Sequence, residues 1–249
     1  MPDPGFDHDS REAPLIDHLA EVRERILYCL GFFVLIFLLV YRSSDTFIDL
    51  LMKPLRDYRP DMKLVALSVT EGFVTTLKLS AYLAMAFSLP FIVWHIWKFI
   101  EPGLKPRERF WCKALFVPLM LSFVLGAAFC YTVALPLALR FLLDNLGSQF
   151  TPLFSYGSYV EFSLVFMLAL GAVFELPLVL VFLDVTGLVP VEVFQGRRRE
   201  GIVLAFVVGA LLSPPDVFSQ LCVSLPIIFL LEGGIWVSFL LRRTKKVVE

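Results

Sequence analysis

Residues 201–241 read GIVLAFVVGALLSPPDVFSQLCVSLPIIFLLEGGIWVSFLL, and the four in the middle, Ser213-Pro214-Pro215-Asp216, decide how this stretch folds. Two prolines and an acid in four residues break a helix interior and suit a turn followed by a new helix start. The stretch therefore divides into two short apolar helices, 201–215 and 217–231, joined by a tight turn. Glu232 interrupts the second, which can run on to Leu241. Helices this apolar have no place on the surface of a soluble fold. The whole chain agrees: of 249 residues, 58% are hydrophobic and 18% charged, with 25 Phe, and the mean hydropathy is +0.77. Soluble domains sit near 45–50% apolar and about 25% charged. So much apolar surface cannot hide inside a chain this short, and an integral membrane protein follows.

Runs free of Asp, Glu, Lys and Arg extend the pattern outward from this segment. They fall at 26–41, 79–97, 114–139 and 162–183, the last interrupted only by Glu175. A crossing helix needs about 20 mostly apolar residues. The expectation is an all-α integral membrane protein of six transmembrane helices, the last two short enough to thin the bilayer or lean on partners. Residues 1–249 form a single membrane domain: a cytoplasmic amphipathic N-terminus (1–25), a six-helix core (26–241) and a basic cytoplasmic tail (242–249). Fifteen of the Lys and Arg residues flank the spans on the side of both termini and seven on the other, which places both termini in the cytoplasm. The N-terminal 25 residues carry seven acids, unlike a cleavable secretory signal. On the opposite side, 47–52 predicts an interfacial helix stopped by Pro54.

Net charge is −1, so nothing points to nucleic acid. Cys29, Cys112, Cys130 and Cys222 are scattered without CxxC spacing and read as small buried hydrophobes. No HExxH, GxSxG or P-loop occurs, which argues against an enzyme. Pro90, Pro118, Pro136, Pro177, Pro214 and Pro226 lie in apolar runs or their turns, and several kinks together would curve the helices around a concave face. Glu175 lies deep in the fourth run. An acid there costs roughly 2.5–3.5 kcal/mol on insertion scales, so it faces a polar cavity, pairs, or bonds a carbonyl freed near Pro177. A proton-coupled secondary transporter is the alternative use of such an acid, but the halves show no repeat symmetry.

The cytoplasmic rim carries two further carboxylates. Glu21 precedes the first span and stands four residues before Arg25, the favoured order for a helix ion pair. Pro106 starts the third helix and puts Glu108 in its first turn, where an acid is favoured. Two rim carboxylates suit a ligand with two guanidinium groups, each able to form a bidentate pair. Asp216 and Gln220 share a face at the start of the sixth helix, with Gln220 one turn deeper. Glu232 is expected to pair with Arg242 or Arg243.

Four motifs then stand in order: His18-Leu19-x-Glu21-x-Arg23-x-Arg25, Trp97-x-Phe99-x-x-Pro102-Gly103-Leu104 with Glu108 following, Phe174-Glu175-x-Pro177, and Ser213-Pro214-Pro215-Asp216-x-x-Ser219-Gln220. With them the chain resembles the TatC family, the multispanning receptor subunit of the twin-arginine protein translocase, over about 15–241. Thr70-Glu71-Gly72-Phe73 also looks like that family's segment before the second span. The resemblance implies a glove-like six-helix protein of the cell inner membrane, without a cofactor, that binds twin-arginine signal peptides of folded cargo and works with the proton-motive force. It implies that Glu21 and Glu108 hold the arginine pair, with Arg23, Phe99 and Leu104 around them. It assigns Glu175 to the concave face, and Asp216 and Gln220 to docking of single-span TatA/TatB-type partners. Self-association in a receptor complex and contact with membrane lipid complete the implied partners. Two positions depart from the family pattern. His95 stands where Gln is frequent, and is expected to pack as a ring near the inside interface; Ala114 lacks the family's proline, and Pro118 appears instead.

Overall fold

The computed structural model describes residues 9–101, 106–144, 154–212 and 217–248. Leu104, Asp216 and the whole 213–216 turn lie outside the described residues. All described regular structure is helical apart from an isolated parallel bridge between Val65 and Ser155. In chain order the helices are α1 (Asp9–Arg42), α2 (Ser44–Tyr58), α3 (Glu71–Ile100), α4 (Pro106–Phe129), α5 (Leu135–Asp144), α6 (Tyr156–Phe174), α7 (Leu176–Thr186), α8 (Val191–Gly196), α9 (Arg198–Leu212) and α10 (Val217–Val248). A π-helical turn, Cys130–Ala134, joins α4 to α5.

Five segments are long and apolar enough to cross a membrane: Ala20–Arg42, Glu71–Phe99, Arg109–Asp144, Tyr156–Thr186 and Gln220–Leu240. The chain is a multi-pass membrane protein. At 15 residues, α9 is shorter than these five. The helices lie side by side: α1 on α3, α3 on α6, α6 on α4, α4 on α7, α7 on α10 and α10 on α9. The core centres on α6, where Val160, Phe166 and Leu170 are fully buried. Ile26, Leu30, Leu35, Leu39 and Phe229 stay exposed, as side chains facing lipid do.

Proline positions show how the fold satisfies its backbone. Pro54 does not stop α2, contrary to the sequence expectation; the helix continues to Tyr58. Pro54 has no N–H for the carbonyl of Leu50, and the Tyr131 hydroxyl donates to that oxygen instead, at 2.8 Å. The Tyr159 hydroxyl donates to the neighbouring Leu51 carbonyl at 2.8 Å. One face of α2 packs on the protein: Leu51, Pro54 and Leu55 are buried, and the helix meets α3, α5 and α6. Before Pro136 the ladder widens, and Leu135 N–H donates to Cys130 O, five residues back. The fourth span breaks between α6 and α7 at Glu175, with Pro177 in the first turn of α7. There the freed carbonyl of Phe174 accepts from the Ser122 hydroxyl of α4 at 2.5 Å.

Polar pairs fasten the helices elsewhere. Lys78 of α3 pairs with Glu161 of α6 at 2.7 Å. Tyr58 donates to both Asp144 oxygens at 2.6 and 2.7 Å, and Arg59 pairs with the same carboxylate at 3.2 Å, tying α2 to α5. Glu232 is ion-paired, but with Arg198 of α9 at 3.4 Å, which joins α9 to α10. The side chains of Arg242 and Arg243, the partners expected from the sequence, lie outside those described. Cys29 and Cys130 are free thiols, Cys130 buried as expected and Cys29, like Cys222, half-buried.

Two glycines separate packing from propensity. A Cβ on Gly126 would meet Leu170 O and Phe174 Cβ at 2.8 Å, whereas one on Gly31 meets nothing within 4 Å. Gly126→Ala is expected to force α4 from α6 and lower the unfolding temperature in detergent. Gly31→Ala, gaining up to about 1 kcal/mol of helix propensity, is expected to hold or raise it.

Candidate functional site

At one end of α3, its last turn meets α1 through Arg25 and the first turns of α4 through Glu101. One turn of α1 brings Arg25 onto Glu21: Nε donates to Oε1 at 3.0 Å, and Nη2 donates to the same oxygen. The same Nη2 reaches the Lys98 carbonyl of α3 at 3.4 Å. That carbonyl belongs to the last turn of α3, where acceptors lack helical partners and a cation is favoured. Arg25 thus ties the rim of α1 to the end of α3. Arg23 and Glu24 are exposed on the same turn, and Glu24 accepts from the Tyr28 hydroxyl at 2.9 Å.

A third rim carboxylate escapes a reading of the sequence. Glu101, with its side chain only 16% exposed, accepts from Arg109 Nε and sits 3.1 Å from Lys113 Nζ. It clamps the end of α3 to the first turns of α4. Lys113 and Arg109 together hold its carboxyl below the usual carboxylate range. Glu108 sits in the first turn of α4, as expected, one residue before Arg109; its side chain lies outside those described.

Phe99 is half-buried and lines an elongated groove of about 520 Å³ between α1 and α3, together with Val22, Arg25 and Ile26. His95 lines the same groove and packs as a ring, 4.5 Å from Phe91 and 5.9 Å from Tyr28 between centroids. Its Nδ1 has no hydrogen-bond partner among the described residues.

Glu175 and Gln220 lie on other helices. Glu175 sits at the α6–α7 break, half-buried, and its carboxylate has no hydrogen bond or ion pair among the described residues. The carbonyl freed nearby goes to Ser122, not to Glu175. Gln220, near the start of α10, donates from Nε2 to the Phe206 carbonyl of α9 at 3.1 Å, and so also braces its own fold.

Glu71 anchors the loops ahead of α3 and α6. Oε1 accepts from Ser155 Oγ and from Gly157 N at 2.7 Å; Oε2 accepts from Leu67 N at 2.5 Å and Ser68 N at 3.3 Å. The Ser68-x-x-Glu71 spacing, one half of a capping box, was the available signal. Nothing comparable marks Glu101, whose cations stand eight and twelve residues further along the chain. Among the described residues no group of three His, Cys, Asp or Glu is placed to hold a metal ion.

The family model of Sec-independent protein translocase protein (TatC) matches residues 17–226. The chain belongs to the TatC family. It is 33% identical to the Sec-independent protein translocase protein TatC of Carboxydothermus hydrogenoformans, covering 92% of this chain and 94% of that one. Identity to the TatC of Escherichia coli (strain K12) is 37%, over 90% and 88% respectively. Among solved structures, the chain is similar to a crystal structure of the twin arginine translocase receptor TatC in DDM, with TM-score 0.80 and 33% identity, covering 89% of this chain and 99% of that one. The TatC family supplies protein-translocase components, so the fold belongs to protein transport.

The Glu101 clamp gives a signed pH dependence. Its folded-state value is depressed, so its stabilisation is complete above the ordinary carboxylate value of about 4.3 and disappears as pH falls through the lowered value. Glu101→Gln is expected to lower the unfolding temperature at neutral pH and flatten its decline below about pH 4.3. Parallel melting curves for parent and variant at all pH values would contradict the assignment.

Glu71→Gln is expected to lower the unfolding temperature by several degrees and speed proteolysis near residues 59–70, because an amide cannot accept all four bonds as a carboxylate does. Limited proteolysis with mass mapping checks it.

Proposed function

We propose that this chain is the signal-peptide receptor and core subunit of a twin-arginine translocase, exporting folded proteins across the cell inner membrane with the proton-motive force. The observation that carries this reading is the guanidinium already seated at the rim: Glu21 holds Arg25 in a charge-assisted pair where α1 meets α3. A site that holds one guanidinium in this way has the chemistry for another. The first arginine of an incoming tag exchanges with Arg25 on Glu21, and the second binds Glu108 at the start of α4. Arginine suits this exchange because its planar fork can engage both oxygens of a carboxylate, whereas lysine offers a point charge. Arg23, Phe99 and Leu104 border the seat. Family membership supports the reading, as does the likeness to a structure described as a twin arginine translocase receptor.

The same reading fixes the membrane arrangement. Six spans place both termini in the cytoplasm, in line with the excess of Lys and Arg on that side. Helix α9 supplies the sixth crossing where the bilayer thins, its 15 residues reaching about 22 Å. The kinks at the proline sites curve the helices into a glove whose concave face presents Glu175. Asp216 and Gln220 dock single-span TatA/TatB-type subunits; the Gln220 amide nitrogen is committed to Phe206 O, which leaves its carbonyl to accept from a partner helix.

The rim is tested by peptide binding. With the protein in nanodiscs, Glu21→Ala and Glu108→Ala are each expected to weaken a labelled twin-arginine peptide roughly ten- to a hundredfold, the size of a lost charge-assisted bond. Unchanged affinity in the double variant, with an unchanged melting temperature, would overturn the proposal.

A further inference from the structure

The long span Arg109–Asp144 ends at a charged corner where the last turn of α5 packs on α2. Arg59 pairs with Asp144 at 3.2 Å, so these two charges offset each other, and the Tyr58 hydroxyl donates to the same carboxylate. Arg140 stands one turn before Asp144 on α5. Among the described residues neither Asp57 nor any other carboxylate pairs with it. Its guanidinium carbon instead lies 5.5 Å from the centroid of the Tyr58 ring, and that of Arg59 lies 5.6 Å from the same centroid. An aromatic face thus holds an arginine whose charge no side chain offsets.

The surface beside Arg140 changes from carbon to charge within one turn. Val133 and Leu137 are exposed. Leu137 stands three residues before Arg140 on α5, so the two are neighbours on one face, about 4.5 Å apart along the axis. An exposed leucine followed one turn later by an exposed arginine marks the level where acyl chains end and phosphates begin. There a guanidinium can donate to two phosphate oxygens at once. Basic sites between spans take lipid headgroups by this chemistry. We propose that the Tyr58–Arg140 corner binds the headgroup phosphate of an anionic phospholipid, whose acyl chain lies along Leu137 and Val133. A zwitterionic lipid suits the corner less well, because Asp144, the carboxylate nearest to hand for a headgroup ammonium, is occupied by Arg59 and Tyr58. Tyr58 belongs to α2 and Arg140 to α5, so the bound lipid braces the joint between the two helices.

The test uses the full chain in phosphatidylcholine nanodiscs doped with a trace of phosphatidylglycerol that carries a diazirine in its acyl chain. After irradiation, adducts mapped by mass spectrometry are expected on residues 133–141. They should exceed, roughly fivefold, those from an equal trace of phosphatidylcholine with the same label. Arg140→Gln is expected to remove that excess. Arg56→Gln removes an exposed cation of α2 that is already paired with Asp49, and is expected to leave the excess unchanged. The comparison of the two lipids on the parent chain stands by itself if Arg140→Gln fails to fold. Equal adducts from the two lipids would overturn the proposal, as would an excess that persists in folded Arg140→Gln. An equal loss in Arg56→Gln would also overturn it, since diffuse surface charge then explains the preference. Displacement of the labelled lipid by inorganic phosphate alone would assign the corner to free phosphate and overturn the lipid as its occupant.

Discussion

Lipid offers no hydrogen bonds, so every backbone group that a span leaves unpaired must find its partner inside the protein. In this chain that requirement accounts for much of how one helix meets the next. Pro54 frees the carbonyl of Leu50, and Tyr131 supplies a hydroxyl. The break at Glu175–Pro177 frees the carbonyl of Phe174, and Ser122 supplies another. Ahead of Pro136 a π-helical turn widens the ladder instead. Each break is thus tied to a particular neighbour, and a bend becomes a fixed joint. Close approach at Gly126 brings α4 against the backbone of α6, near enough for the Ser122 bond to form.

Where the helices leave the apolar zone, charge replaces hydroxyls. Arg25 joins α1 to α3, and Glu101 joins α3 to α4. At the far loops Glu71 gathers four donors. The rim is consequently stiff before any ligand arrives, with Glu21 and the first turn of α4 held in a common framework. Stiffness is useful to a receptor, since ordering long side chains at the moment of binding costs affinity. Arg25 keeps the Glu21 carboxylate paired at this end of α1.

Much of this framework was legible from the residues. Apolar runs located four of the five long spans, Pro106 marked the start of α4, and Pro177 marked the break beside Glu175; the run 217–231 read as a short helix, whereas α10 continues past Glu232 and contains the long span Gln220–Leu240. The Glu21–Arg25 pair followed from its four-residue spacing. What stayed hidden depended on contacts between distant segments. Pro54 reads as a stop because its rescuing donor, Tyr131, lies 81 residues from Leu50. Glu232 finds Arg198, 34 residues away in sequence, because α9 packs on α10. Glu101 reads as an ordinary residue before a turn until α4 brings two cations to it. The groove below Glu21 is likewise a property of a helix pair, invisible in either strand of sequence alone.

The central claim is that the rim selects guanidinium for its shape and not merely for its positive charge. The most direct measurement is the dissociation constant of one labelled peptide, with its neighbouring arginines intact and with both replaced by lysine, on the full chain in nanodiscs at fixed salt. A planar fork lost at two carboxylates predicts that the lysine peptide binds at least tenfold more weakly while carrying the same charge. Equal constants for the two peptides would contradict the account.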